Sequence, residues 1–60
     1  MNPTNKELAM EAIKGYNEEK AKLSMALGNE ANWYKRRAIS DRLQQIDSEI
    51  RELTLTVELE

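Results

Sequence analysis

The hydrophobic positions along this chain follow two different periods. Between residues 9 and 53 they recur at spacings built from three and four, which is typical of helices that bury one face. In the last eight residues, 53–60, apolar and polar side chains alternate without a break, which is the period of a half-buried β-strand. The sequence therefore predicts an all-α fold with a short β-like tail at the C terminus.

The first helix is predicted over residues 4–27. Thr4 is the expected N-cap, and Glu7 follows three residues later, as in a capping box. Lys20 interrupts the apolar stripe of this helix, where it either extends its ammonium group to solvent or fixes the register between helices. Gly28 is the expected stop because glycine readily adopts a positive φ. The stripe itself consists of Ala9, Ile13, Tyr16, Leu23 and Leu27.

A second helix is predicted over residues 30–53, after a turn at 28–29. Asn29 is the first candidate for its N-cap and Asn32 the second, so the loop spans between two and five residues. The apolar positions of this helix alternate between spacings of four and three, which is a heptad pattern. All of them are isoleucine or leucine, namely Ile39, Leu43, Ile46, Ile50 and Leu53.

Two helices of equal length joined by a tight turn are expected to form an antiparallel hairpin. With the turn at 28–29, residue i lies opposite about residue 57 − i, so the chain beyond Thr54 overhangs the hairpin. A single strand cannot satisfy its own backbone groups, and this tail is therefore predicted to meet a second chain. Two alternatives are a disordered tail and a longer second helix, since Val57 keeps the heptad spacing.

The length of 60 residues limits the stability of one copy. Domains below roughly 70–80 residues are usually reinforced by disulfides, a metal or oligomerisation. Cysteine and histidine are both absent, which removes disulfides and the commonest metal ligands. We therefore expect a single domain that dimerises with itself into a four-helix bundle. The predicted dimer core comprises Ile13, Tyr16, Leu23, Ile39, Leu43, Ile46, Ile50 and Leu53.

The composition also argues against an enzyme. No histidine is present to activate a serine, and no glycine-rich loop is present to bind phosphate. No catalytic residue, cofactor or metal is predicted. The longest apolar runs, Leu8-Ala9-Met10 and Met25-Ala26-Leu27, are too short for a signal peptide or a transmembrane span. The chain is therefore expected to be cytoplasmic and to have no membrane partner.

Charge is unevenly distributed, although the formal net charge is only −2. Residues 14–42 carry seven cations and four anions, a net of +3, whereas the rest of the chain carries two cations and seven anions, a net of −5. In a hairpin this gives a basic tip and an acidic base. Aromatic and basic side chains are most concentrated in the segment Trp33, Tyr34, Lys35, Arg36 and Arg37. Such a segment can pack the end of a bundle, bind a protein, or stack on bases and bind phosphates.

The layout of residues 4–53 resembles the Rop-type hairpin in architecture, without a shared motif. That resemblance implies dimerisation into a four-helix bundle, and it raises RNA binding as a hypothesis. The chain also resembles the small sporulation phosphatases that act on a response regulator, whose second helix carries Ser-Gln-Glu-Leu-Asp. In the corresponding stretch, 40–44, only Ser40 and Leu43 match, and Gln44 replaces the acidic residue that the chemistry needs.

The function predicted from the sequence is non-enzymatic binding to an unidentified protein, which the chain regulates or inhibits. Its size and composition are typical of inhibitors of host factors that phages or other mobile elements encode. The alternatives are an RNA- or DNA-binding regulator that uses the Trp33–Arg37 segment, and a structural assembly subunit. The candidate partner-binding residues are Trp33, Tyr34, Lys35, Arg36, Arg37, Leu55, Val57 and Leu59.

Overall fold

The computed structural model describes residues 4–59, and nearly all of them belong to two α-helices. Helix α1 spans Asn5–Asn29 and helix α2 spans Trp33–Leu59. The two helices pack against each other as an antiparallel hairpin whose Cα atoms extend over 46 × 18 × 12 Å. The predicted helical hairpin is thus confirmed, and no strand is formed between residues 4 and 59.

The N terminus of α1 is the predicted capping box. The backbone N–H of Glu7 donates to Thr4 Oγ1 at 3.1 Å, and the backbone N–H of Thr4 donates to Glu7 Oε2 at 3.4 Å. Two donors that have no partner inside the helix are satisfied in this way. The carboxylate of Glu7 also lies at the positive end of the helix dipole, where a negative charge is stabilising.

The end of α1 differs from the prediction. The helix continues through Gly28 and Asn29, and neither glycine of the chain has a positive φ. Glu30 ends the helix in an extended conformation (φ −93°, ψ 124°), and its N–H donates to the carbonyl of Leu27 at 3.4 Å. The predicted stop at Gly28 and the predicted turn at 28–29 are therefore wrong.

The loop between the helices covers residues 30–32. The side-chain oxygen of Asn32 accepts hydrogen bonds from the backbone N–H groups of Tyr34 at 2.9 Å and Lys35 at 3.3 Å. Asn32 is thus the N-cap of α2, and Asn29, the first candidate, remains in α1. The helix begins at Trp33 instead of residue 30 because the first amide groups of α2 find their acceptor at Asn32.

The position of the loop sets the register of the hairpin. With the loop centred on residue 31, residue i lies opposite about residue 62 − i, five residues further along α2 than the sequence predicted. Val57 consequently lies opposite residue 5 at the start of α1, and the segment after Thr54 does not overhang. The β-like tail predicted for 54–60 is therefore wrong over 54–59, which is helical, and Glu60 lies outside the described residues.

Local hydrogen bonds explain why two threonines are accommodated near the end of α2. Thr54 Oγ1 donates to the carbonyl of Ile50 at 2.7 Å, and Thr56 Oγ1 donates to the carbonyl of Glu52 at 3.3 Å. Both bonds return to the residue four positions earlier, a pattern that threonine adopts inside helices at a small cost in stability. The β propensity of the segment is overridden by packing along α1.

One apolar seam joins the two helices. Ile46 is fully enclosed (0% exposed) and Ala9 nearly so (4%), and these are the two buried residues between 4 and 59. The other seam residues are half-buried, because a single neighbouring helix covers only part of each stripe. They are Ile13, Tyr16, Leu23, Leu27, Ile39, Leu43, Ile50, Leu53 and Val57.

A matched pair of leucines tests whether the C-terminal segment is helical. Leu53 is half-buried in the seam and Leu55 is exposed, whereas both would share one face of a strand. We expect Leu53→Ala to lower the free energy of unfolding by about 1–3 kcal/mol and Leu55→Ala to change it by less than about 0.5 kcal/mol. Urea unfolding followed by circular dichroism measures both, and equal losses would contradict the helix.

Candidate partner-binding surface

Two ion pairs connect α1 to α2 at the margins of the seam. Arg42 forms a two-point contact with Glu19, with Nε to Oε2 at 2.8 Å and Nη2 to Oε1 at 3.2 Å. Lys20 Nζ lies 2.6 Å from Asp47 Oδ1. Lys20, the cation in the apolar stripe, thus contacts the opposite helix, as expected of a residue that fixes register. The sequence alone did not predict these two contacts, because the partners of Glu19 and Asp47 on the opposite helix depend on where the loop lies.

The contact with Arg42 changes the ionisation of Glu19. Hydrogen bonds from the Arg42 guanidinium lower the pKa of Glu19 below the usual value of 4.5. Burial opposes this shift, and the charge of Arg42 makes the smallest contribution, in the same direction as the hydrogen bonds. The same hydrogen bonds raise the pKa of Arg42 above its usual value. All four side chains of the two ion pairs are between 41% and 49% exposed, so each pair contributes modestly to stability.

The predicted dimer-core residues all line the seam. Ile46 is already buried by the hairpin itself, and the remaining seven keep part of their surface exposed. The hairpin is 12 Å across its thinnest direction, so it has one layer of helices and no second layer over the seam. The exposed margins of these seven side chains are candidates for an interface.

The most exposed aromatic residues lie at the loop end, at the start of α2. Trp33 is 61% exposed and Tyr34 is 68% exposed. Their rings stack on each other with centroids 3.7 Å apart and planes inclined by 26°. The indole therefore does not pack into the end of the hairpin, and both rings keep large surfaces available to a partner.

Arg36 has a structural role in the loop. Its Nη1 donates to the carbonyl of Leu27 at 2.8 Å and to the carbonyl of Glu30 at 2.9 Å. Carbonyls at the end of a helix have no intrahelical partner, and α1 has no basic residue of its own in its last turn. A cation from α2 thus completes the C terminus of α1 and stabilises it through the helix dipole.

Lys35 and Arg37 are exposed, and between residues 4 and 59 neither takes part in an ion pair. Both lie near the N terminus of α2, whose first turn contains no acidic residue. The helix dipole favours anions at this end, so two cations here are slightly unfavourable for the helix. Unlike the side chain of Arg36, neither of these two side chains forms a hydrogen bond or an ion pair between residues 4 and 59.

The three apolar candidates near the C terminus are separated by the helix. Val57 is half-buried in the seam, so the hairpin itself covers part of the surface that was predicted to bind a partner. Leu55 is 53% exposed and Leu59 is 86% exposed. These two leucines are four residues apart and therefore lie on one face of α2, away from the seam.

The segment that resembles the phosphatase motif lies in α2, beside the seam. Ser40 and Leu43 are half-buried, Arg42 is bound to Glu19, and Gln44 is exposed. Between residues 4 and 59 the surface has no pocket, and no three acidic side chains in that range are placed to hold a metal ion. Neither of the two described helices is long and apolar enough to span a membrane.

Comparisons of this chain with protein-family models, with curated proteins and with solved structures found no match.

The lowered pKa of Glu19 predicts how the ion pair responds to acid. A carboxylate whose pKa is lower in the folded chain than in the unfolded chain adds stability above the ordinary pKa, and that stability disappears as the pH falls through the lowered value. We expect Glu19→Gln to lower the melting temperature at neutral pH and to match the wild type well below pH 4.5.

The control for this experiment is Glu18→Gln. Glu18 is the adjacent exposed glutamate and belongs to neither ion pair. Its substitution should leave the melting temperature nearly unchanged at neutral pH. A wild-type advantage over Glu19→Gln that persists in strong acid would contradict the assignment, as would an equal loss in both variants.

Proposed function

We propose that this chain is a small, non-enzymatic, cytoplasmic protein that forms a homodimeric four-helix bundle and binds another protein, which it regulates or inhibits. The observation that carries the proposal is the stacked, exposed pair Trp33 and Tyr34 beside the unpaired cations Lys35 and Arg37. Action on a host factor, from a phage or another mobile element, is the part of the proposal that rests on size and composition alone.

The accessible surface supports the dimer. A compact monomer of 7.0 kDa exposes about 4,000 Å² by the usual scaling of surface with mass. This hairpin exposes 4966 Å², an excess of about 900 Å². Each partner in a stable interface typically buries about 800 Å². The excess surface is therefore of the size that a second copy would cover, and the half-buried seam supplies its apolar centre.

Gly15 is consistent with a second helix against α1. Glycine inside a helix costs about 1 kcal/mol relative to alanine. A Cβ built on Gly15 meets nothing within 4 Å, so packing inside the hairpin does not require glycine at this position. Close approach of a helix from another copy would require it.

The dimer is tested by the mass of the protein in solution. We expect light scattering at micromolar concentration to give twice the chain mass of 7.0 kDa. Leu43→Glu places a charge at the margin of the seam and should lower that mass, whereas Gln44→Glu adds the same charge at an exposed position and should not. Circular dichroism separates a folded monomer from an unfolded chain. A folded wild-type monomer would overturn the dimer, and a larger assembly would favour a structural subunit.

Trp33, Tyr34 and Arg37 have the chemistry of protein-binding hot spots. Tryptophan, tyrosine and arginine dominate the binding energy of many interfaces, because they bury large surfaces and also form hydrogen bonds. The stack between the two rings holds both in place before binding, which reduces the entropy lost on association. The capped start of α2 gives this group a rigid base.

The second candidate function is binding of single-stranded nucleic acid through the same residues. Exposed aromatic rings can stack on bases, and Lys35 and Arg37 can contact the phosphates on either side. Arg36 is less suited to that role because its Nη1 group already donates to two backbone carbonyls. A variant that removes Arg36 would disturb the loop, so a test of nucleic acid binding should leave it intact.

One set of variants distinguishes the two functions. For a protein partner, we expect capture from a lysate to survive nuclease treatment and moderate salt, and to be lost in Trp33→Ala/Tyr34→Ala. Truncation of hot-spot aromatics typically costs about 2 kcal/mol or more each, which is a loss of at least about thirtyfold in affinity. Met10→Ala is the control, since Met10 is an exposed apolar residue near the other end of the hairpin.

For a nucleic acid partner, a labelled single-stranded RNA should bind with an affinity that falls steeply as salt is added. Binding measured by fluorescence anisotropy should then be lost in Lys35→Glu/Arg37→Glu. Capture that is unchanged in both double variants would contradict any role for the Trp33–Arg37 segment.

A further inference from the structure

We infer that the second copy of this chain packs antiparallel to the first, so that the loop end of each hairpin lies beside the open end of its partner. This inference rests on the proposed dimer and adds the relative orientation of its two copies. The two ends of the hairpin carry opposite net charges, and the apolar seam runs along the whole length between them.

The charge of each half follows from the observed register. With residue i opposite about residue 62 − i, the loop half consists of residues 18–44, and the open half of residues 4–17 and 45–59. The loop half has six cations and four anions, a net of +2. The open half has three cations and six anions, a net of −3. The two halves therefore attract each other between copies.

This polarity remains after the internal ion pairs are removed. The Glu19–Arg42 pair lies within the loop half and cancels there, and the Lys20–Asp47 pair crosses from one half to the other. Without these four residues the loop half keeps a net of +1 and the open half a net of −2. Arg36, one of the remaining cations of the loop half, keeps its positive charge although its Nη1 donates to the carbonyls of Leu27 and Glu30. Between residues 4 and 59 none of the other remaining charges belongs to either ion pair.

Because the hairpin is long, the orientation of the dimer depends on which halves of the two copies lie side by side. Its long axis is 46 Å, several times the screening length of about 8 Å at physiological salt. Charges at one end consequently do not feel those at the other end, and each half responds to the half that lies beside it. A parallel dimer places like net charges side by side at both ends, whereas an antiparallel dimer places opposite net charges together twice.

The helix dipoles and the apolar seam do not favour either direction. Each end of the hairpin contains one helix N terminus and one helix C terminus, so the dipoles cancel at both ends. The seam runs along the hairpin from Ala9 and Val57 at the open end to Leu27 and Ile39 near the loop. A second copy can therefore cover it in either direction. Side-chain charge therefore distinguishes the two arrangements, and a two-fold axis across the rod closes the antiparallel one.

The test measures the distance between two loop ends in the full-length protein. The chain has no cysteine, so Ala31→Cys provides one spin-label site per copy, in the exposed loop. In an antiparallel dimer the two labels lie near opposite ends of the bundle, and pulsed electron paramagnetic resonance should give a distance that approaches the 46 Å length of the hairpin. In a parallel dimer the labels lie in neighbouring loops, which join helices whose axes are about 10 Å apart, so the distance should be below about 25 Å.

Ser48→Cys is the matched control. Ser48 is exposed and lies near the middle of α2, close to the proposed two-fold axis. Its label should give a distance well below the antiparallel loop-to-loop value in either arrangement. Circular dichroism of both labelled variants verifies that the helices are retained.

The outcomes separate this inference from the proposed function. A dimer by light scattering with a long distance at position 31 supports the antiparallel arrangement. A dimer with a short distance at position 31 overturns that arrangement and leaves the proposed dimer intact. A monomer, with no distance at either position, overturns the proposed dimer and the direction together.

Discussion

The hairpin depends on one apolar seam that only two helices share. An amphipathic helix presents an apolar stripe more than about 100° wide, and one neighbour covers only the middle of it. Ile46, whose side chain points at the centre of the contact, is enclosed completely, whereas Ile13 and Leu43 remain half-buried. The incomplete burial is therefore a consequence of having two helices, and further apolar residues in the same two helices would not remove it. Only a second layer of protein does so, which is why the structure of one copy already bears on its assembly.

Polar contacts define the register that the seam alone leaves open. A heptad pattern tolerates a shift by a whole repeat, since isoleucine and leucine then meet equivalent residues. The pairs Glu19–Arg42 and Lys20–Asp47 would both be broken by such a shift. Half-exposed ion pairs add little to the free energy of unfolding. Here they mainly specify the register of the hairpin, because each pair joins one fixed position on α1 to one fixed position on α2.

The features predicted correctly from the sequence are those that depend on a few neighbouring residues. The Thr4 capping box and the 4–3 spacing of α2 are local patterns, and both are present. The predicted position of the loop is wrong because Gly28 resembles a helix stop. Two caps decide the position instead: Asn32 at the start of α2, and Arg36, which binds the carbonyl of Leu27 nine residues earlier. That error shifted the register by five residues, which hid the ion pairs and made the C-terminal segment look as though it had no partner.

The Trp33–Arg37 segment shows how the structure refines a candidate site that a sequence pattern can only outline. The pattern treated Arg36 and Arg37 as equivalent cations. In the structure Arg36 completes the end of α1, so its presence is explained by folding. Lys35 and Arg37 oppose the dipole of α2, and the two aromatic rings beside them remain exposed. A group of side chains that is unfavourable or neutral for the hairpin, and that stands on the capped first turn of α2, is consistent with the proposed contact with another molecule.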